Sequence, residues 1–169
     1  MFLGIPTSLI AQNTIEWSKD RPLSWADFKA TPNTEIYAFA LTTYDIEIQP
    51  SDISVDEDNN IQNYEDLKVV ANFYTNLSWV FKESDDLLSH EQLHFDIAAL
   101  YALKMQIEFE KLKKQKVKNF DSYSEIYSSL WAECRKIQNV YDEETSHGQR
   151  IEENNNWINK ITQEIESLE

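Results

Sequence analysis

The sequence predicts an α+β fold, an N-terminal antiparallel β-rich half followed by three helices. Two observations carry this. Up to about residue 81, runs of alternating apolar and polar residues are separated by Pro-, Asn- and Asp-containing turns. From about residue 84 the apolar residues recur at spacings of three and four instead. Strands gathered first and helices after them mark α+β rather than alternating βαβ units. A length of 169 residues with 41% hydrophobic content suits a single domain, here residues 12–169, with a proper core.

The elements follow in order. Residues 1–11 are uncharged and mostly apolar, too short to span a bilayer. With Ser8 and Ala11 before Gln12 they read as the tail of a signal peptide whose start lies upstream, or as an apolar arm packed on the domain. The first reading makes the protein exported, periplasmic or secreted. Residues 35–48 read as a strand, because Tyr44, Ile46 and Ile48 alternate with Asp45 and Glu47. DEDNN at 56–60 reads as an exposed hairpin tip. A second strand region places Val69, Ala71 and Phe73 on one face and continues through Trp79, Val80 and Phe81. Its segment 67–75 is the candidate edge for an extended peptide.

Ser84 followed by Asp85 and Asp86 is an N-cap with acids in the first turn. The helix it opens runs to about residue 116 and ends among lysines, which suit the negative end of the helix dipole. A second helix fits 121–139, with Tyr123, Tyr127, Leu130, Cys134, Ile137 and Tyr141 in one apolar stripe. Cys134 in that stripe reads as a buried core thiol. A last helix carries Ile151, Trp157, Ile158, Ile161, Ile165 and Leu168. Thr145 reads as its cap.

The net charge of −15 opposes nucleic acid and anionic membrane surfaces, and the chain contains no apolar run long enough to be an integral membrane segment. One cysteine excludes a cysteine-based metal cluster, so a transition metal would have to be held by histidine and carboxylate. Residues 90–94 supply such a pattern, His90-Glu91-Gln92-Leu93-His94, an H-E-x-x-H inside the strongest helical segment. A spacing of four puts both imidazoles on one helix face, where they can grip one zinc ion, and Glu91 between them is placed as general base. A catalytic zinc needs a third protein ligand. The third histidine, His147, is the leading candidate, because one site then accounts for every histidine of the chain. Glu144 is its rival, and Asp142 is third, read rather as a hydrogen-bond acceptor for a ligand imidazole. Tyr141 and Arg150 are candidate oxyanion donors, and Asp96 reads as a solvated helix residue.

Four blocks, LSWADF at 23–28, SWV at 78–80, LLSHEQLHFDIAALYA at 87–102 and YDEETSHG at 141–148, resemble the bacterial family known as domain of unknown function 922, described as zinc-dependent proteases. The resemblance implies a zincin-like domain in which His90 and His94 are zinc ligands, Glu91 is the base and His147 belongs to the second motif. The function expected is a zinc metallopeptidase acting on a peptide or protein substrate. The alternatives are a non-catalytic zinc-binding module on such a scaffold, and a zinc hydrolase of non-peptide amides.

Overall fold

The computed structural model describes residues 13–35 and 38–168; the expected leader or arm at 1–11 lies outside them. Five short strands precede three long helices: β1 (Thr14–Glu16), β2 (Ala40–Leu41), β3 (Tyr44–Gln49), β4 (Lys68–Tyr74), β5 (Trp79–Val80), α1 (Asp85–Lys114), α2 (Phe120–Thr145) and α3 (Ile151–Leu168). The strands form two small antiparallel sheets, one ordered β1-β4-β3 and the other β2-β5. The fold is α+β.

The strand expected over 35–48 is two strands belonging to different sheets. Thr42 and Thr43 make the break. Thr42 Oγ1 donates to the Glu91 carbonyl at 3.2 Å, Thr43 Oγ1 to the Leu77 carbonyl at 3.0 Å, and Thr43 N to Ser78 Oγ at 2.9 Å. Side-chain bonds of this kind compete with the ladder, and the chain turns from β5 towards β4. β4 pairs with β1 on one side (Ile15 opposite Phe73) and β3 on the other (Ile46 opposite Ala71). Segment 67–75 therefore holds the central strand of its sheet, with β3 along residues 68–73 and β1 along 72–74, rather than the edge strand expected. The hairpin tip has the expected form. Asp56 Oδ1 accepts from Asp58 N and Asn60 N, and Asn59 takes a left-handed φ of 62°.

Helix α1 is the axis of the molecule. Its cap is Ser84, whose hydroxyl accepts from Leu87 N at 3.2 Å, and Lys111, Lys113 and Lys114 occupy its last turn. Residues 97–102 are buried on every face, because the sheet covers α1 on one side and α2 and α3 cover the rest. That explains why IAALYA shows no polar stripe. α2 runs six residues beyond the expected end at 139. Acids at 142–144 oppose the dipole at a helix C-terminus, but full burial of Tyr141 and Thr145 outweighs them. Thr145 closes α2 rather than capping α3: its hydroxyl donates to the Tyr141 carbonyl and accepts from Gly148 N. Cys134 is fully buried, and burial pushes its thiol up to about 12. No helix among the described residues is long and apolar enough to cross a membrane.

Candidate metal centre

Two helices build the site. α1 presents His90 and His94 one turn apart on the face that meets α2, with their rings edge to face at 4.7 Å between centroids. Their Nε2 atoms are 3.2 Å apart. α2 brings Asp142 opposite them, and its Oδ1 lies 3.2 Å from both Nε2 atoms. Both contacts are short enough for ion pairing, yet neither is aligned as a hydrogen bond. Asp142 Oδ1 is buried without a hydrogen-bond partner among the described residues.

The surroundings hold this triangle in place. His94 Nδ1 meets Gln138 Oε1 at 2.6 Å, and Gln138 Nε2 donates back to the His94 carbonyl at 2.8 Å. Since the amide oxygen can only accept, Nδ1 carries the proton and Nε2 keeps its lone pair towards Asp142. Tyr141 packs its ring 4.7 Å from that of His90 and 5.0 Å from that of His94. Beyond the end of α2, Ser146, His147 and Gly148 all have positive φ (49°, 53° and 77°). A Cβ at 148 would stand 2.7 Å from His90 Cγ, so glycine is required both by the backbone and by the ring packed on it.

Electrostatics follow from the packing. Burial pushes the Asp142 carboxyl up, but the two imidazoles beside it prevail and hold it well below the usual carboxylate range. Burial pushes His94 down, while Asp142, the Glu91 charge and Gln138 prevail and raise it.

The candidates from sequence separate clearly. His90, His94 and Asp142 form the group that could hold a metal ion. His147 lies beside this group rather than in it: its Nδ1 is 3.3 Å from Asp142 Oδ1, and its side chain is 76% exposed at the cleft. Glu144 points away, accepting from Trp157 Nε1 at 2.8 Å. Tyr141 cannot serve as an oxyanion donor, because its hydroxyl is fully buried and bonded to Asn154 Oδ1 and the His90 carbonyl. Arg150 is turned to the Glu144 carbonyl. Asp96 is not a solvated acid. It accepts from Trp17 Nε1 at 2.8 Å and Gln92 Nε2 at 2.7 Å, tying the N-terminal segment to α1, and burial raises its carboxyl. Gln138 is the site residue that sequence reasoning missed.

The triangle floors a cleft of about 640 Å³, also lined by Glu91, which is 4% exposed. No family model matches the chain, and neither a curated protein nor a solved structure matches it. The geometry of the site suits a cation. A tetrahedral ion with bonds of about 2.0–2.1 Å separates its ligands by about 3.3 Å. Three edges of 3.2 Å, a fixed tautomer at His94 and an oxygen without a hydrogen-bond partner match that requirement. Two imidazoles and one carboxylate are a donor set that zinc accepts.

Proposed function

We propose that this protein is a zinc-dependent peptidase that hydrolyses a peptide bond lying in the cleft, with Glu91 as general base. The observation that carries this reading is the ligand triangle with a buried carboxylate, Glu91, opening onto the same cleft. A metal held only for structure has no use for that carboxylate. Zinc bound by three protein atoms keeps one position open, where it polarises a carbonyl and lowers the pKa of water towards about 7. The residues of the chain do the rest. Glu91 accepts a proton from the attacking water and passes it to the leaving amine. Gln138 keeps His94 in the tautomer that turns its lone pair inward. His147, exposed at the cleft beside Asp142, donates to the carbonyl oxygen as charge builds on it, the role that Tyr141 cannot fill.

Elemental analysis of protein purified without chelator should find about one zinc per chain, lost in the His90→Ala/His94→Ala double variant. Glu91→Gln should keep the metal and lower peptide hydrolysis by about 10²–10⁴-fold. Wild-type turnover in metal-loaded Glu91→Gln would overturn the mechanism.

A further inference from the structure

The cleft has a second wall, and it is made of the wrong residues for a surface. Phe39 is 51% exposed, Leu41 37% and Phe81 65%, and all three line the same cleft as the metal triangle. Isolated exposed apolar residues need no explanation, but three converging on one concavity beside a candidate reaction centre do. They are brought together by the small sheet. Leu41 is paired with Trp79, and Phe81 N donates to the Phe39 carbonyl at 2.7 Å, so the two phenylalanines sit opposite each other at the end of the ladder.

The backbone of this wall is extended along the cleft. Residues 38–42 line it without interruption, and β2 has β5 as its one partner among the described strands. In an antiparallel pair, alternate residues turn their amide groups away from the partner strand. With the Phe39 carbonyl engaged by Phe81, the residue that turns away from β5 is Ala40. Ala40 is itself only 6% exposed, so what the wall offers an extended occupant is the apolar side chains of Phe39 and Leu41 on either hand.

Charge selects among extended chains. The protein carries −15 overall, and the segment that follows Phe81 in the chain carries exposed Glu83, Asp85 and Asp86 beside Lys82. Such a field draws cationic peptides towards the cleft and repels anionic ones.

We infer that the cleft binds an extended, positively charged peptide and seats one large apolar side chain between Phe39 and Phe81. This deepens the peptidase reading and rests on it for taking the cleft as the place where substrate lies. Binding can nevertheless be read without turnover. Fluorescently labelled peptides are titrated onto zinc-loaded Glu91→Gln protein in three versions of one length: Lys-rich with a central Phe, Lys-rich with a central Ser, and Glu-rich with a central Phe. The Lys-rich Phe peptide should bind more tightly than the Ser peptide by about 10–200-fold, the worth of an apolar group in a fitted pocket. The Glu-rich peptide should bind more weakly than the Lys-rich one, by a margin that shrinks with added salt. Phe39→Ser and Phe81→Ser should each reduce the Phe-over-Ser preference, and Phe81→Leu should restore most of it. Equal affinity for the Phe and Ser peptides, or a preference unmoved by both serine variants, overturns the proposal. Binding with this preference but no cleavage by wild-type enzyme overturns the peptidase reading and leaves the binding surface standing.

Discussion

The two walls of the cleft reverse the usual rule of burial. On the helical wall the polar groups are inside: His90 is 2% exposed and Glu91 4%, and the Asp142 oxygen that faces them is buried. On the β wall the large apolar groups are outside, with Phe81 65% exposed. Each inversion costs stability. A buried polar group without a partner costs about 1–3 kcal/mol, and exposed apolar surface forgoes roughly 25 cal/mol per Å². The walls differ in how rigidly they are built. The helical wall is fixed by Gln138, by the Tyr141 ring and by a glycine that no other residue could replace without a clash. The β wall is two residues of ladder carrying side chains that touch solvent. The helical wall has a geometry that could hold a metal ion, and the β wall, on the proposal above, accepts a larger ligand that brings its own shape.

The largest expected effect comes from breaking the helical wall at its oxygen. Asp142→Ala should weaken zinc binding by more than the roughly 10–100-fold typical of losing a partner behind a ligand. His147→Ala should leave affinity near wild type, because its ring lies beside the triangle. Competition of each variant against a chelator of known affinity reads this directly. The reverse ranking would make His147 the third ligand and reduce Asp142 to its hydrogen-bond partner. Removing the support rather than the ligand should do less. Gln138→Leu frees the His94 ring to change tautomer and should cost about 10–100-fold in zinc affinity. Unchanged affinity would mean that packing against Tyr141 alone orients the ring.

How much of this was legible in sequence depended on how locally each feature is specified. The Ser84 cap, the lysines ending α1 and the meeting of two imidazoles one turn apart are set within a few residues, and they could be read. The third corner of the triangle could not be read, because the choice turned on where α2 ends. With the helix stopped at 139, residues 141–148 become a loop and His147 looks like the natural partner of two other histidines. With the helix carried to Thr145, Gln138 and Asp142 lie one turn apart on the face that meets α1. The signal was Tyr141, fourteen residues after Tyr127 in the same apolar stripe and so part of the same helix. On the β side, Thr42-Thr43 divides a stretch whose alternation reads as continuous. Only bonds to Ser78 and Glu91, 35 and 49 residues away, decide that β2 and β3 join different sheets. Such long-range contacts leave no mark in local periodicity, and the apolar wall they create was invisible for the same reason.

The smallest expected effect is the one that sharpens the contrast most. Phe81→Ser should change stability by no more than about 0.5 kcal/mol, the range for surface substitutions away from structural features. Truncating a buried phenylalanine such as Phe95, fully enclosed in the core, costs about 3–5 kcal/mol instead. Thermal or urea unfolding of metal-free protein gives the comparison, with the cation removed so that its binding energy does not enter. If Phe81→Ser proved as costly as a core truncation, the side chain would be part of the architecture, covering the end of a short ladder that cannot hold itself together. If it is nearly neutral, folding leaves that apolar area in water for no structural gain. Two-thirds of a phenylalanine exposed beside a candidate metal triangle then has no reason within the fold, and that is the outcome the proposed peptide side chain requires.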